Sequence, residues 1–302
     1  MELSQKTTLI CPLCRTENNA RFAGLKLNGQ QGLFPKRDYT NAAKVYCCFK
    51  CGLYFNYPAP VNQKEIFDED DSLVKFTLLD PERLKAEAGC KDILDFLENT
   101  ARMAKGSKLL DMGSGTGITA YALREAGYKV YAVEPKKELF DFSVENGFTD
   151  RDKSSHASFE TTAFVAESFD FIFLEPLNHF KNPDAAIQKT LQWLKPGGYL
   201  HLEVTNSRWL YKIALAFLYR ITFRKHVPYT SALRKPFTCC EYSALSFKVY
   251  AKMTNLNLCV LESYPCNTFI SNKFLSRLMS FYMKLSKQGM ELSIVLQKKE
   301  FT

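Results

Sequence analysis

The chain has 302 residues, 46% of them hydrophobic and 24% charged, which is an ordinary globular composition with enough length for one large or two average domains. Its longest apolar stretch, Ile213 to Tyr219, is far shorter than the roughly 20 residues that cross a bilayer, and residues 1–6 show no secretory signal, so we expect a cytoplasmic protein rather than an integral membrane protein. The formal net charge of +8 is uneven, because residues 206–302 hold 15 Lys/Arg against 4 Asp/Glu.

Two Cys-x-x-Cys pairs stand near the N-terminus, Cys11 with Cys14 and Cys48 with Cys51. Two residues between thiolates let a tight turn aim both sulfurs at one ion, and two such pairs complete the closed tetrahedral site of a structural Zn²⁺. Cys47 stands beside Cys48, so either residue can supply the third ligand. Reduced thiols in a small core are the alternative, but core packing does not require both pairs at this spacing.

The next informative segment alternates helices and strands. Apolar residues recur at helical spacing over 93–101, and residues 108–111 predict a short strand. A glycine-rich turn over 112–117 leads to a helix over 118–126 and a strand over 129–133. This order of elements is typical of a nucleotide-binding βαβ unit.

The glycine turn has the form Asp-x-Gly-x-Gly-x-Gly, with Asp111, Gly113, Gly115 and Gly117, and Glu134 follows at the end of the next strand. Glycines let the backbone approach a nucleoside closely, and a carboxylate in the position of Glu134 can accept both ribose hydroxyls. A dinucleotide site would instead show Gly-x-Gly-x-x-Gly. A purely structural turn is the alternative, although the strand context and the acid favour a ligand.

At these residues the chain resembles the class I S-adenosylmethionine-dependent methyltransferases, whose first motif has this form. The resemblance covers roughly residues 90–300 and implies an α/β fold with a Rossmann-like doubly wound sheet. It also implies that S-adenosylmethionine binds with its amino-acid end near Asp111 and Gly113, and with its ribose on Glu134 beside Pro135.

Further segments agree with that family. Residues 168–173 resemble its fourth strand, and residues 175–183 resemble the loop E-V-L-E-H-V-P-D-P, with Asn178 in place of the second Glu. A helix over 187–194, a Leu-Lys-Pro-Gly-Gly turn and a strand over 199–204 follow. Residues 256–262 and 290–296 can supply the closing antiparallel pair.

Two more assignments rest on the resemblance. The segment with Ser158 and Phe159 falls where the family places a loop against the adenine, although the usual Asp is missing and Phe159 can equally be a core side chain. His179 is the first candidate for a general base, since its unperturbed pKa lies near neutrality and its loop lies over the cofactor in the family. Glu175 and Glu203 are secondary candidates.

The residues after the second cysteine pair distinguish two branches of the methyltransferase family, both of which carry a zinc ribbon. Residues 51–60 resemble the C-G-L-x-F-x-N-P-x-P run of zinc-ribbon small-molecule and sugar methyltransferases, which are similar to the ubiquinone-pathway O-methyltransferases. We therefore expect methylation, favouring oxygen, of a small anionic metabolite or a sugar or polysaccharide intermediate. An RNA base methyltransferase and a non-catalytic cofactor-binding assembly protein are the alternatives.

The predicted domains are a zinc ribbon over 1–60, a connecting helical segment over 61–105 and a methyltransferase domain over 106–302 with a lid insertion at about 206–255. Within the basic C-terminal third, residues 208–225 and 269–287 mix aromatic and aliphatic residues with Lys and Arg. Such segments can form a lid with solvated cationic edges, or can lie at the inner face of a membrane. The positive charge suits an anionic acceptor and would also attract RNA.

Overall fold

The computed structural model describes residues 8–26, 42–58, 80–175, 177–230, 238–264 and 272–300. Their contacts divide the chain into two compact units. The cysteine unit comprises Met1–Ile66, Leu177–Ala186 and Glu203–Ile294, and the parallel-sheet unit comprises Phe67–Pro176, Ile187–Leu202 and Val295–Thr302. Each unit is therefore assembled from segments that are distant in the sequence.

The strands are β1 (Ala20–Lys26), β2 (Lys44–Cys48), β3 (Tyr54–Asn56), β4 (Lys108–Met112), β5 (Lys129–Glu134), β6 (Ser154–His156), β7 (Phe169–Leu174), β8 (Leu194–Thr205), β9 (His226–Val227), β10 (Cys240–Glu241), β11 (Asn257–Tyr264) and β12 (Glu291–Gln297). The helices are α1 (Pro81–Glu87), α2 (Lys91–Asp95, continuing as a π-helical turn over Phe96–Thr100), α3 (Ile118–Glu125), α4 (Lys137–Glu145), α5 (Pro183–Trp193), α6 (Leu210–Ile221), α7 (Ala244–Thr254) and α8 (Lys273–Leu285).

A seven-stranded sheet has the order β11-β12-β8-β7-β4-β5-β6. The pairs β8/β7, β7/β4, β4/β5 and β5/β6 are parallel. The central strands β4 and β7 are almost continuously apolar and buried, because helices cover both faces of such a sheet. Since the chain order reverses between β4 and β7, the carboxyl end of β4 lies at the switch point where an open α/β sheet binds ligands.

This architecture confirms the predicted doubly wound α/β fold. It also confirms the predicted order of helices and strands from residue 93 to residue 134. One detail differs. The predicted Leu-Lys-Pro-Gly-Gly turn is an irregular part of β8, since Phe169 pairs with Leu194 but Phe171 pairs with Tyr199. Gly197, at φ 75°, allows this bulge.

The cysteine unit is built on a five-stranded sheet with the order β10-β3-β2-β1-β9. The N-terminal strands β1 and β3 thus pair with β9 and β10, which come from the insertion near residues 206–255. The grouping differs from the linear division into 1–60, 61–105 and 106–302, because backbone pairing joins the ribbon to the insertion. Residues 59–79 and 231–237 of these predicted segments lie outside the described residues.

Each unit has its own core. The largest fully buried side chains include Phe148, Phe171 and Phe173 in the parallel-sheet unit, and Tyr219, Tyr242 and Phe247 in the cysteine unit. In the described ranges, no helix has the length and apolar character needed to cross a membrane.

Candidate functional site

The four cysteines of the N-terminal pairs converge on one point in the cysteine unit. All four are buried, and their sulfur atoms lie within 4.8 Å of one another. Cys11 Sγ is 3.6 Å from Cys51 Sγ, and Cys14 Sγ is 3.6 Å from Cys48 Sγ. A tetrahedral Zn²⁺ with Zn–S bonds of about 2.3 Å holds its sulfurs about 3.8 Å apart, so the donor set and spacing suit this ion.

The backbone repeats the same turn at both pairs. Arg15 donates its N–H to Cys11 O at 3.0 Å, and Gly52 donates to Cys48 O at 2.9 Å. Arg15 and Gly52 both adopt left-handed φ angles, 59° and 69°. The ambiguity between adjacent cysteines is also resolved, because neighbouring strand residues face opposite sides and it is Cys48 that joins the cluster.

The glycine-rich turn joins β4 to α3 in the parallel-sheet unit. Gly113, Gly115 and Gly117 have φ angles of 91°, 56° and 81°, which L side chains rarely adopt. Val133 O at the end of β5 accepts hydrogen bonds from the N–H groups of Gly113 and Ser114 at 2.8 and 3.1 Å. The turn is therefore fixed against the strand that ends in Glu134.

Two of these glycines have different surroundings. A Cβ on Gly117 would lie 2.9 Å from Thr149 Cγ2 and 3.0 Å from Phe148 Cβ, so this glycine allows close packing of the chain. A Cβ on Gly115 would meet nothing within 4 Å. Gly115 consequently leaves open space beside its own backbone, as a ligand-binding turn requires.

Asp111 is a buried carboxylate at the end of β4. It is only 4% exposed, and within the described part of the chain no group hydrogen bonds to its Oδ2. Burial raises the pKa of Asp111 to about 7, and the nearby Glu134 adds to the rise. An ionised form of this group calls for a cationic or donor partner.

Glu134 is also buried, but both of its oxygens are held. Oε2 accepts the N–H of Gly115 at 2.7 Å, and Oε1 accepts the N–H of Lys136 at 2.8 Å. Burial raises the pKa of Glu134, while these backbone hydrogen bonds oppose the rise. The carboxylate is thus fixed in orientation beside the glycine turn, with further lone pairs able to accept hydroxyl donors.

Sequence reasoning missed one polar residue at this edge of the sheet. His156 ends β6 in register with Glu134, and its Nε2 lies 3.0 Å from Pro135 O. A polar residue at the carboxyl end of a parallel strand is the signal that could have found it.

The predicted adenine loop follows β6. The Ser158 carbonyl accepts the Thr162 hydroxyl at 2.7 Å and closes a turn. Phe159 is half-buried, with its ring 5.8 Å from that of Trp193 and Lys189 Nζ 4.8 Å from its centroid. These contacts give Phe159 a packing role, and its part in cofactor binding stays a prediction.

Of the candidate bases, Glu175 lies in the parallel-sheet unit directly after β7. Its Oε1 is 3.6 Å from Nδ1 of His201, which is buried in β8 and stacked on Phe171. Burial lowers the pKa of His201 to about 4, so this imidazole is neutral at pH 7. Glu175 therefore has a neutral neighbour rather than an ion-pair partner there.

His179 and Glu203 belong to the cysteine unit, His179 in a 3₁₀ turn over Leu177–His179 and Glu203 in β8. Next to His179, the Asn178 amide donates to Thr205 Oγ1 at 2.8 Å, and its Oδ1 accepts the Thr205 N–H at 3.3 Å. Two hydrogen bonds thus join Asn178 to the end of β8, which gives a structural reason for Asn at the position of the family's Glu. The catalytic roles of His179, Glu175 and Glu203 stay predictions.

Comparison with known proteins supports this fold. Residues 83–260 match the family described as methyltransferase domain. The chain belongs to this family. A ubiquinone biosynthesis O-methyltransferase of Actinobacillus pleuropneumoniae serotype 7 (strain AP76) is 32% identical over 148 residues, covering 46% of this chain and 59% of that protein. The cypemycin N-terminal methyltransferase of a Streptomyces species is 31% identical over 111 residues, covering 35% of this chain and 44% of that protein.

A solved structure shows the same methyltransferase fold. The plantazolicin methyltransferase BpumL, in complex with SAH, aligns over 79% of this chain and 94% of its own with a TM-score of 0.50 and 12% identity. The chain spans less than two thirds of the length of the curated relatives named above.

The residues of this methyltransferase domain fit S-adenosylmethionine. Asp111 offers a buried, unpartnered oxygen for a cationic amino-acid end, and Gly115 leaves the turn open for close approach. Glu134 is oriented by two backbone donors to accept hydroxyls. These two carboxyl groups and the open turn therefore match the charge and polarity of that cofactor.

Proposed function

We propose that this protein is an S-adenosylmethionine-dependent methyltransferase that methylates a small anionic metabolite or a sugar intermediate, with oxygen as the favoured acceptor atom. The observation that carries the proposal is the combination of Asp111, Gly115 and Glu134 at the carboxyl ends of β4 and β5. This set joins a buried carboxyl group, whose Oδ2 has no hydrogen-bond partner in the described structure, to an open glycine turn and an oriented carboxylate.

When bound, S-adenosylmethionine supplies an electrophilic methyl group on a sulfonium centre. The chain's own residues then have two tasks. Asp111 and Glu134 bind and orient the cofactor, so that much of the rate comes from holding the reacting groups close and in line. The acceptor's hydroxyl oxygen would take the methyl group as the bond between that methyl and the sulfonium sulfur breaks. A base would accept the hydroxyl proton, and His179, Glu175 and Glu203 are our candidates.

The anionic character of the acceptor is supported by charge. Residues 206–302 carry 15 Lys/Arg against 4 Asp/Glu. Lys212 is not available for an anion, because its Nζ lies 2.7 Å from Glu241 Oε2 and both side chains are buried. Arg208 is an exposed cation outside this pair that suits an anionic acceptor.

The oxygen acceptor is supported by the ubiquinone-pathway relative, whose name states O-methylation. The cypemycin relative is named for an N-terminal substrate, so the family includes a different acceptor. The Cys₄ cluster has four thiolates and no open position, and we propose that it binds zinc with a structural role.

The test is transfer of a radiolabelled methyl group from S-adenosylmethionine into a cell extract, which is then separated into RNA, lipid and water-soluble pools. We expect label in the water-soluble or lipid pool, and none with Asp111→Asn. Label confined to RNA and removed by ribonuclease would overturn the acceptor class. Cofactor binding in calorimetry without label in any pool would identify a non-catalytic binding protein.

The base is tested separately once the acceptor pool is known. His179→Gln, Glu175→Gln and Glu203→Gln are compared at saturating cofactor across a range of pH. If His179 is the base, its variant alone loses about 100-fold or more in kcat and the acidic limb of the pH profile. An unchanged profile for His179→Gln would transfer the role to one of the carboxylates.

A further inference from the structure

Helix α8 of the cysteine unit turns a broad apolar face outward. Phe274, Leu278, Phe281 and Leu285 follow each other at helical spacing along one side and are 74, 55, 62 and 67% exposed. Leu275 and Tyr282 widen the same face. Large contiguous apolar surfaces on soluble proteins mark sites of interaction, so this face needs a partner.

The helix is attached to the protein by its other side. Met283 is buried, at 2% exposure, and α8 packs against β11. A surface helix ordinarily buries its apolar face and exposes its polar one. In α8 the widest apolar face is the exposed one, which is the arrangement of a helix that lies in an interface.

Cations border this face. Lys273, Arg277 and Lys284 are exposed, and α8 contains no acidic residue. Their spacing places them together along one edge of the helix, next to the apolar side chains. The combination of bulky apolar groups with a cationic border complements an apolar layer that has an anionic surface.

The end of α6 carries the same combination. Phe217, Ile221 and Phe223 are 64, 53 and 83% exposed, with Arg220 and Lys225 exposed beside them. The start of α6 is hydrogen bonded to the segment after α8, through the Leu210 N–H to Gln288 O at 3.1 Å. Two segments of the cysteine unit therefore share this surface chemistry.

We propose that α8, together with the end of α6, docks this protein on an anionic phospholipid bilayer. A second copy is a poorer occupant, because it would bring two cationic borders together. RNA would pair with the cations and stack its bases on the Phe rings, but it would leave the exposed Leu side chains uncovered. The proposal does not depend on methyl transfer, and it places the protein peripherally at the inner face of a membrane.

The experiment is co-sedimentation of the full-length protein with vesicles of phosphatidylcholine, with and without phosphatidylglycerol. We expect binding to the anionic vesicles that weakens as salt is raised. The triple variant K273Q/R277Q/K284Q should weaken binding about 100-fold, since each cation near an anionic surface contributes about a fivefold factor. The double variant F274S/F281S should weaken it by at least about tenfold.

Matched controls keep the outcome interpretable. K129Q/K248Q/K252Q removes the same charge from exposed positions outside α8 and α6, and Val165→Ser removes an 81% exposed apolar side chain from the other unit. We expect both controls to bind like the wild type. Thermal unfolding confirms that the α8 variants stay folded.

Three results would overturn the proposal. The first is no binding to anionic vesicles, or equal binding by the wild type and both α8 variants. The second is a dimer in sedimentation velocity that F274S/F281S dissociates, which would identify a second copy as the partner. The third is binding to single-stranded RNA that the triple variant abolishes while vesicle binding is absent.

Discussion

The cysteine cluster and the glycine-rich turn are both buried polar sites, yet their groups are satisfied in opposite ways. In the cysteine unit, four thiol groups face one another at distances that suit one ion, and two equivalent turns close the site. In the parallel-sheet unit, Asp111 Oδ2 has no hydrogen-bond partner in the described structure, and Gly115 faces open space.

The difference separates a site that holds a fold from a site that holds a ligand. Four thiolates around a metal saturate its coordination, so nothing is left for a substrate. Ionising a buried carboxyl group whose Oδ2 has no hydrogen-bond partner costs free energy in the ligand-free protein, and a bound cationic ligand offsets this cost. Four experiments test this contrast.

The largest effect is expected at the cysteine cluster. Cys14→Ser removes one of four ligands and should release the metal and lower the free energy of unfolding by more than about 5 kcal/mol, because metal binding contributes to folding. Metal content by mass spectrometry and a denaturant titration measure both. Cys47→Ser is the control, since Cys47 lies outside the cluster. Full zinc content in Cys14→Ser would contradict the assignment.

The second experiment compares the two carboxylates. Asp111→Asn should weaken S-adenosylmethionine binding more than about 100-fold, as expected when one partner of a buried charge pair is removed. The same change should stabilise the ligand-free protein at pH 8. The pKa of Asp111 rises on folding from 3.8 to about 7, so stability is lost as pH increases through that window.

The net gain from Asp111→Asn is about 2 kcal/mol, because relief of about 4 kcal/mol of buried charge is offset by a buried amide without a partner. Glu134→Gln should also weaken cofactor binding but should destabilise the protein by about 1–3 kcal/mol, since it mismatches a backbone donor. Calorimetry measures cofactor binding, and thermal unfolding measures the stability change of each variant. Stability changes of the same sign in both variants would contradict the contrast.

The third experiment compares alanine substitutions at two glycines of the same turn. Gly117→Ala should destabilise the protein by about 3 kcal/mol, from its left-handed φ and from crowding against Thr149 and Phe148. Gly115→Ala meets no atoms and should cost only about 1 kcal/mol for its φ of 56°, while it obstructs the cofactor. Gly106→Ala, which also has a positive φ and open space, is the matched control for the cofactor effect.

The fourth experiment concerns the buried His201. Its pKa falls on folding from 6.5 to about 4, so the unfolded chain binds the proton first and stability decreases as pH is lowered through that window. When the pH is lowered from 7 to 5, protonation of this group should reduce the free energy of unfolding by about 2 kcal/mol. The groups that face it are Glu175, Phe171 and Phe173. His201→Phe should flatten this part of the stability profile, and an unchanged slope would contradict it.

Much of the parallel-sheet unit was predictable from the sequence. The alternation of helical and strand patterns gave the βαβ order, and the carboxyl ends of parallel strands necessarily meet at one edge. Asp111, Gly113 and Glu134 could therefore be assigned together before any coordinates. His156 was not found, because no local pattern shows that β6 pairs beside β5 in the register that places it opposite Glu134.

The cysteine pairs, the glycine turn and the class of sheet could be predicted from the sequence alone, since each depends on residues close together in the chain. The structure was needed to show that the ribbon strands pair with β9 and β10, that Cys48 rather than Cys47 joins the cluster, and that α8 exposes its apolar face. These facts depend on contacts between distant segments. A periodic pattern shows that a helix has an apolar face, but the packing of the remaining chain decides whether that face is buried.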